Sequence, residues 1–435
     1  MSASYAPENT TGTDVTLHRA AWVVPVGTPP IANGAVLVQG DTILAVGGYG
    51  ELKGPAPHGT ELRDHGHAAL IPALVNAHTH LELSGLRNRI PLPQKSFGAW
   101  LQELFSQRAS APSTPLDADV RAGEEELLAG GTGLYGDIAN SPVFEMDSPT
   151  NPAGSMKDPS LKLPHGRLFL EILGFDRQEL TDVASCRDPR LIPAFLWAAE
   201  DNPCLSLAAH ACYSTSGELI RQAKGWSRLH ARPFSIHAAE HPEEMEFLRT
   251  GSGYCRSLLE SLGRWVPGWQ PPGTTPVQYL HQLGALDAGT LLVHLVHMTA
   301  PDWEILAQEH CSVCFCPRSN HYLNAGQADI STALRMGLVA ALGTDSLASN
   351  TDLNLFAEAA FVLDAYPDLS PHDVLKMMTW GGAKALHHDT IFGTIEAGKH
   401  AALLAVTLPE DSSPLKLAET IIDEGRKGAW QWTHS

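Results

Sequence analysis

Eight short apolar runs, separated by stretches of helix-forming residues, constrain this chain more than any other feature. They fall at residues 68–77, 132–138, 167–174, 204–210, 233–238, 290–294, 311–316 and 337–344. Each has the length of a strand and is rich in Val, Ile, Leu and Ala, as strands buried on both faces require. The segments between them, such as 118–128 and 191–200, place helix formers at helical spacing. Repeated strand–helix alternation predicts an α/β architecture, a (β/α)8 TIM-like barrel over residues 68–389, with reactive groups at the C-terminal ends of its strands. The stretch 141–164, rich in Pro, Ser and Asn, is expected to be a long loop of that barrel.

The two ends of the chain have a different pattern. Residues 14–26 and 35–46 read as short strands between Gly, Pro and Asn turns, and the turn at 393–399 leads into the apolar run 401–406. Neither piece can close a core alone. Both ends are therefore expected to meet in one small β-sandwich, residues 1–67 with 390–435.

Chemistry concentrates where the apolar runs end. The first run closes on Asn76-Ala77-His78-Thr79-His80-Leu81-Glu82. Residues two apart on a strand share a face, so His78 and His80 project together and make half of a metal site. In the fifth run, Ser235-Ile236-His237, the same parity turns His237 inward, and Glu240 follows in the loop within reach of a group bound there. A merely solvated loop would also explain that polar segment. His294 shares the inward face of the sixth run with Leu292, whereas His297 reads as a packing or loop-anchoring residue. The eighth run ends Leu342-Gly343-Thr344-Asp345. A lone carboxylate at an apolar strand end is costly unless it is paired or binds a metal.

Composition narrows the partners. The net charge of −19 argues against nucleic acid and anionic membranes, which need clustered Lys and Arg. The polar start of the chain has no apolar secretory core, and no apolar run is long enough to span a bilayer. Seven scattered cysteines, an odd number, suit a reducing cytoplasm better than a disulfide framework. The Cys311-Ser312-Val313-Cys314-Phe315-Cys316 run alternates like a barrel strand and is read as one, not as a zinc site. The sequence leaves a homo-oligomer open.

His-Thr-His after the first strand, His237 with Glu240 after the fifth, His294 after the sixth and Gly-Thr-Asp after the eighth together resemble the amidohydrolase superfamily. The likeness runs over nearly the whole chain. Within that superfamily it is similar to the mononuclear deaminase and chlorohydrolase branch, because no Lys closes the fourth strand. His210 matches the substrate-facing histidine of the branch, although Ala209 stands where relatives carry Pro. The segments Cys316-Pro317-Arg318-Ser319-Asn320, Ala239-Glu240-His241-Pro242 and Phe247-Leu248-Arg249-Thr250-Gly251 look like the aminodeoxyfutalosine deaminases. Those enzymes act on an adenosine-like nucleoside extended at C5′ by a carboxyphenyl ketone, in the futalosine route to menaquinone.

The resemblance implies one divalent metal on His78, His80, His237 and Asp345, with zinc expected and iron or manganese as alternatives. Water activated there would attack the substrate. Asp345 would take its proton, Glu240 would protonate the ring nitrogen, His294 would stabilise the tetrahedral centre, and ammonia would leave. Glu82, His210, Arg318 and Arg249 are the substrate-binding candidates, the arginines for a substrate carboxylate. Phe97, Trp100, Trp265 and Trp269 are either packing aromatics or a roof over the substrate. The competing readings are a deaminase of another purine or adenosine analogue, a triazine-type chlorohydrolase, and a metal-dead barrel serving as a binding or scaffold protein.

Overall fold

The computed structural model describes residues 15–110, 116–140, 163–182, 202–410 and 412–433. The chain divides into two compact units, 1–72 with 394–435 and 73–393. In chain order the strands are β1 (Val15–Val23), β2 (Ile31–Gln39), β3 (Thr42–Gly48), β4 (Glu61–Asp64) and β5 (Ala68–Pro72). There follow β6 (Leu74–Thr79), β7 (Thr132–Ala139), β8 (His165–Ile172), β9 (Leu205–Ala211) and β10 (Phe234–Ala238). The last are β11 (Thr290–His294), β12 (Ser312–Phe315), β13 (Val339–Leu342), β14 (Leu403–Thr407) and β15 (Trp430–Trp432).

The terminal unit is one hydrogen-bonded sheet in the order β15-β14-β5-β1-β2-β3, with β4 pairing on β1. Both ends of the chain contribute because neither has enough apolar surface by itself. β2 buries both its faces: Val36 and Val38 join one apolar cluster, Ala35 and Leu37 another. The region 35–46 is a hairpin and not a single strand. It turns at Gly40-Asp41, where Gly40 takes a left-handed φ of 53° that glycine accepts without strain. The apolar run 68–77 is likewise two strands. It breaks at Ala73, so β5 pairs with β1 and β14 while β6 opens the barrel.

The second unit is an eight-stranded parallel sheet in which neighbours in sequence are neighbours in space, β6 through β13. It curls until its edges meet. Thr79 bridges Asp345, and the Asp345 N–H donates to the His78 carbonyl at 3.1 Å. The Asn76 side chain completes the seam, donating to Thr344 Oγ1 at 2.7 Å and accepting from the Thr344 N–H at 3.1 Å. Side chains fill the interior. Leu292 and Val293 of β11 are both fully buried, each contributing about 1.5–3 kcal/mol relative to exposure. The expected helix 118–128 is observed as Leu116–Ala129. The expected helix 191–200 and nearly all of the expected loop 141–164 lie outside the described residues. Among the described residues no helix is long and apolar enough to cross a membrane.

Candidate active site

The C-terminal ends of the barrel strands carry the site. His78, in β6, and His80, just beyond it, lie with ring centroids 4.9 Å apart at a right-angled tilt. Their neighbour across the seam must be glycine. A Cβ at Gly343 would sit 2.8 Å from the His78 carbonyl oxygen and 2.9 Å from its Cβ, so any side chain there displaces the imidazole.

β10 brings His237 to the same point, its Nε2 3.2 Å from His78 Nε2. Asp345, just past β13, points Oδ1 at His80 Nε2 (3.6 Å) and His78 Nε2 (3.9 Å). Its Oδ2 accepts from the hydroxyls of Ser319 (2.6 Å) and Ser349 (2.9 Å), which fixes the carboxylate plane. His294 closes β11; its Nδ1–H donates to Asn320 Oδ1 at 3.0 Å, which turns Nε2 toward Glu240 Oε1, 3.7 Å away. Ala239, His294 and Asp345 all hold positive φ (52°, 77° and 57°). Left-handed backbone costs a non-glycine residue about 1–3 kcal/mol, and here it is spent aiming side chains into one spot. Glu240 is held from behind. Helix Pro242–Thr250 begins with Pro242 at its first position and His241 as its cap, and the buried Glu244 accepts the Glu240 N–H at 3.2 Å.

Burial sets the charge states. His78 is held well below the ordinary histidine range by burial and then by His80, His237 and His294. His80 is lowered to about 3 by burial against the opposing pull of Asp345. Burial, followed by His210 and His294, takes His237 to about 4. These rings are therefore neutral at pH 7 with lone pairs available. Burial works against Asp345 ionising, but His80, His294 and the Ser319 hydroxyl together hold it below the usual carboxylate range. For Glu240 burial wins over the attraction of His241 and His237, and its pKa is raised. The site thus holds one carboxylate with a lowered pKa and one with a raised pKa, the divergence that divides acid and base roles between two carboxyl groups.

The donor set suits a divalent cation. Two neutral imidazole nitrogens 3.2 Å apart repel unless a proton or cation lies between them, and imidazole with carboxylate is a favoured set for zinc and its neighbours. Of the four metal-capable clusters among the described residues, three share this spot and overlap through His78 and His237. The fourth, His165 with Cys204 and His388, begins β8 and adjoins β9 and so sits at the opposite strand ends. No such cluster among the described residues includes Cys311, Cys314 or Cys316, buried thiols in and beside β12.

A cavity of about 300 Å³ opens over the site, and His80, His210, His237, Glu240, His294 and Asp345 all reach it. His210 is oriented by Ser214 Oγ, 2.6 Å from its Nδ1. Glu171, near the end of β8, also lines the cavity and groups with His210 and His237. Sequence reasoning passed over Glu171, although a lone acid in the apolar run Leu168–Ile172 was its signal. Phe97 and Trp100 line the cavity, whereas Trp265 and Trp269 pack with Phe175 and Phe247 in an aromatic cluster. His297 anchors a loop through Nε2 to the Ala325 carbonyl at 2.9 Å.

Three expected substrate contacts are placed elsewhere. Glu82 is buried in the short helix Leu81–Leu86 and does not line the cavity. Arg249 is exposed on the last turn of Pro242–Thr250. Arg318 is committed to the protein. Its guanidinium grips both Asp352 oxygens (2.7 and 2.8 Å), donates to Thr351 Oγ1 at 2.6 Å, and lies 3.7 Å from the buried Glu358. Position after a barrel strand suggested the rim; acids further along the chain, at 352 and 358, claim the donors instead. Arg318→Met is therefore expected to cost about 1–3 kcal/mol of stability, because Asp352 loses its bidentate guanidinium and the buried Glu358 its nearby cation, keeping only the Asn350 side chain and a backbone N–H. Denaturant melts should show that loss, and kcat/KM should change alike for charged and uncharged substrates; unchanged stability with selective loss of a carboxylated substrate would contradict the assignment.

Parallel strands closed on themselves, with imidazoles and a carboxylate gathered at their C-terminal ends, make a barrel with a site able to hold a metal. The chain belongs to the amidohydrolase family, whose sequence signature matches residues 69–428, and is a hydrolase acting on C–N bonds. It is 33% identical over 371 residues to an aminodeoxyfutalosine deaminase of Deinococcus radiodurans, covering 82% of each chain. It is 29% identical over 402 residues to a 5-methylthioadenosine/S-adenosylhomocysteine deaminase of Moorella thermoacetica, covering 89% of this chain and 84% of that one. The crystal structure of Helicobacter pylori aminofutalosine deaminase with methylthio-coformycin superposes with a TM-score of 0.77 at 22% identity, covering 94% and 96% of the two chains.

Proposed function

We propose that this protein is a metal-dependent hydrolytic deaminase of a 6-aminopurine nucleoside, with 6-amino-6-deoxyfutalosine as its substrate and futalosine and ammonia as products, a step toward menaquinone. The single observation that carries the reading is the convergence on one cavity of the His78/His80/His237 cluster, Asp345 with Oδ1 3.6 Å from His80 Nε2, and Glu240 with Oε1 3.7 Å from His294 Nε2. His78, His80, His237 and Asp345 would hold the cation, zinc by donor chemistry. When bound, it supplies Lewis-acid activation of water near neutral pH. The protein's own groups do the rest. Asp345 Oδ1 accepts a proton from the attacking water and returns it to the amino group, which leaves as ammonia when the C–N bond breaks. Glu240 delivers a proton to the ring nitrogen beside the attacked carbon, and His294, facing Glu240, stabilises charge on the entering oxygen. The added hydroxyl gives its remaining proton back to Glu240 as the carbonyl forms. His210 contributes a second polar contact from the cavity wall.

The buried binding groups and the relatives' printed activities favour this over a binding-only barrel. The cysteines among the described residues are all free thiols, in keeping with the cytoplasm. The reading is tested by ammonia release from a panel containing aminodeoxyfutalosine, methylthioadenosine, S-adenosylhomocysteine, adenosine and a chlorotriazine. Fastest turnover of aminodeoxyfutalosine is the expected result. Preference for methylthioadenosine would move the substrate assignment, and chloride release alone would overturn the deaminase reading.

A further inference from the structure

The barrel has a second ligand-rich point, at the strand ends away from the cavity. His165 opens β8, Cys204 directly precedes β9, and His388 follows the short helix Gly382–Ala385. One ligand-capable atom of each lies within 4.8 Å of the other two. All three residues are buried, Cys204 and His388 completely. Cys204 Sγ is 3.3 Å from His165 Nε2, and the His165 and His388 rings have centroids 5.4 Å apart. Sulfur and nitrogen bound to one ion at about 2.0–2.3 Å lie roughly 3.3–4 Å from each other, so the Cys204–His165 pair already has the spacing of two ligands.

His388 supplies an independent sign. Its Nδ1 is 2.8 Å from the Leu386 carbonyl oxygen. Two lone pairs at that distance would repel, so Nδ1 carries the hydrogen and donates it. Nε2 is left with a lone pair, and it is buried without a hydrogen-bond partner. An acceptor left unpaired in the interior is costly, and a bound cation removes that cost. Burial, followed by Arg167 and His165, holds His388 well below the ordinary histidine range, so no proton competes for the lone pair.

Charge and coordination number choose the ion. Arg167, itself buried, donates to the Leu386 and Pro203 carbonyls at 2.7 and 2.8 Å, and its Nη2 lies 3.3 Å from His388 Nδ1. A divalent ion on one thiolate would leave net positive charge beside that guanidinium, whereas a monovalent ion on one thiolate is neutral. No fourth His, Cys, Asp or Glu joins the cluster among the described residues. Structural zinc takes four ligands; copper(I) accepts three, and thiolate selects it as a soft ion.

We propose that His165, Cys204 and His388 form a second metal site, three-coordinate and selective for a soft monovalent cation, copper(I), which clips the starts of β8 and β9 to the segment that carries His388. Binding exchanges the Cys204 S–H bond for a sulfur–metal bond and releases one proton to solvent; the ion keeps its oxidation state. The ligands are softer than the imidazole–carboxylate set at the other strand ends, so the two sites take different ions. The site stands apart from the deaminase reading and from its substrate.

The test is an anaerobic titration of the metal-loaded protein with copper(I), competed by a chromogenic chelator, on wild type, Cys204→Ser and His388→Gln. Wild type should take up one tight equivalent. Each variant should weaken it by about 100-fold or more, since loss of a mere supporting contact at a metal site already costs about 10- to 100-fold. X-ray absorption at the copper edge of the wild-type adduct should show one sulfur and two nitrogens around the ion, a readout that needs no variant to fold. Equal binding by wild type and both variants, or a shell with no sulfur or with two, overturns the site. Cys204-dependent uptake of zinc without uptake of copper(I) overturns the choice of ion.

Discussion

Asp345→Asn is expected to slow turnover by about 10³-fold or more while the barrel stays folded. The side chain is 6% exposed and serves two sets of neighbours at once. Oδ1 faces His80 and His78, and Oδ2 accepts from Ser319 and Ser349. Asn has the same shape and tolerates the left-handed φ of 57° found here, so the seam between β6 and β13 survives. What disappears is the negative charge. An amide cannot take a proton from water, is a poor ligand for a dication, and presents N–H donors either to the serine hydroxyls or to the imidazoles. Metal content by elemental analysis should fall together with the rate, and the circular dichroism melt should stay within a few degrees of wild type. Full metal content with near-normal turnover would remove Asp345 from the site.

Glu240→Gln should separate the metal from the proton. The loss is expected at about 10²- to 10⁴-fold in kcat, the scale of a positioned acid–base group, with metal content unchanged. Glu240 is not among the residues gathered at the cation position; it faces His294 Nε2 at 3.7 Å from the far flank. Burial raises its pKa, so it takes up a proton more easily than an exposed carboxylate and can pass one to the substrate ring. Gln keeps the size and a hydrogen-bond donor but cannot pass a proton on. Its backbone remains pinned by Glu244 and the capped start of Pro242–Thr250. Rates close to wild type would transfer the shuttle to another group, with Glu171 next in line on the cavity wall.

The barrel was legible because parallel strands buried on both faces must be apolar throughout, and each of the runs from 132 to 344 overlaps an observed strand. The site residues His78, His80, His237, His294 and Asp345 were legible for a related reason. A polar group ending an apolar strand stands out, and period-two alternation says which way it points. Local pattern could not find the break at Ala73, since both halves of the run are equally apolar and pairing partners far along the chain decide which sheet each joins. Arg318 misled for the same physical reason. Its partners Asp352 and Glu358 are 34 and 40 residues away, and only the fold brings them to its guanidinium. The helix Phe97–Ser110 was not legible as part of the site, because nothing local in its sequence shows that Phe97, Trp100 and Leu104 line the cavity.

The central claim is that this site replaces a purine amino group with oxygen from water. The direct measurement is incubation of the purified, metal-loaded protein with 6-amino-6-deoxyfutalosine in ¹⁸O-enriched water, followed by mass spectrometry of the nucleoside and assay of ammonia. The account predicts ammonia in equimolar amount with futalosine carrying a solvent-derived oxygen on its purine ring. Unaltered nucleoside with no ammonia, from protein holding its full metal, would contradict it.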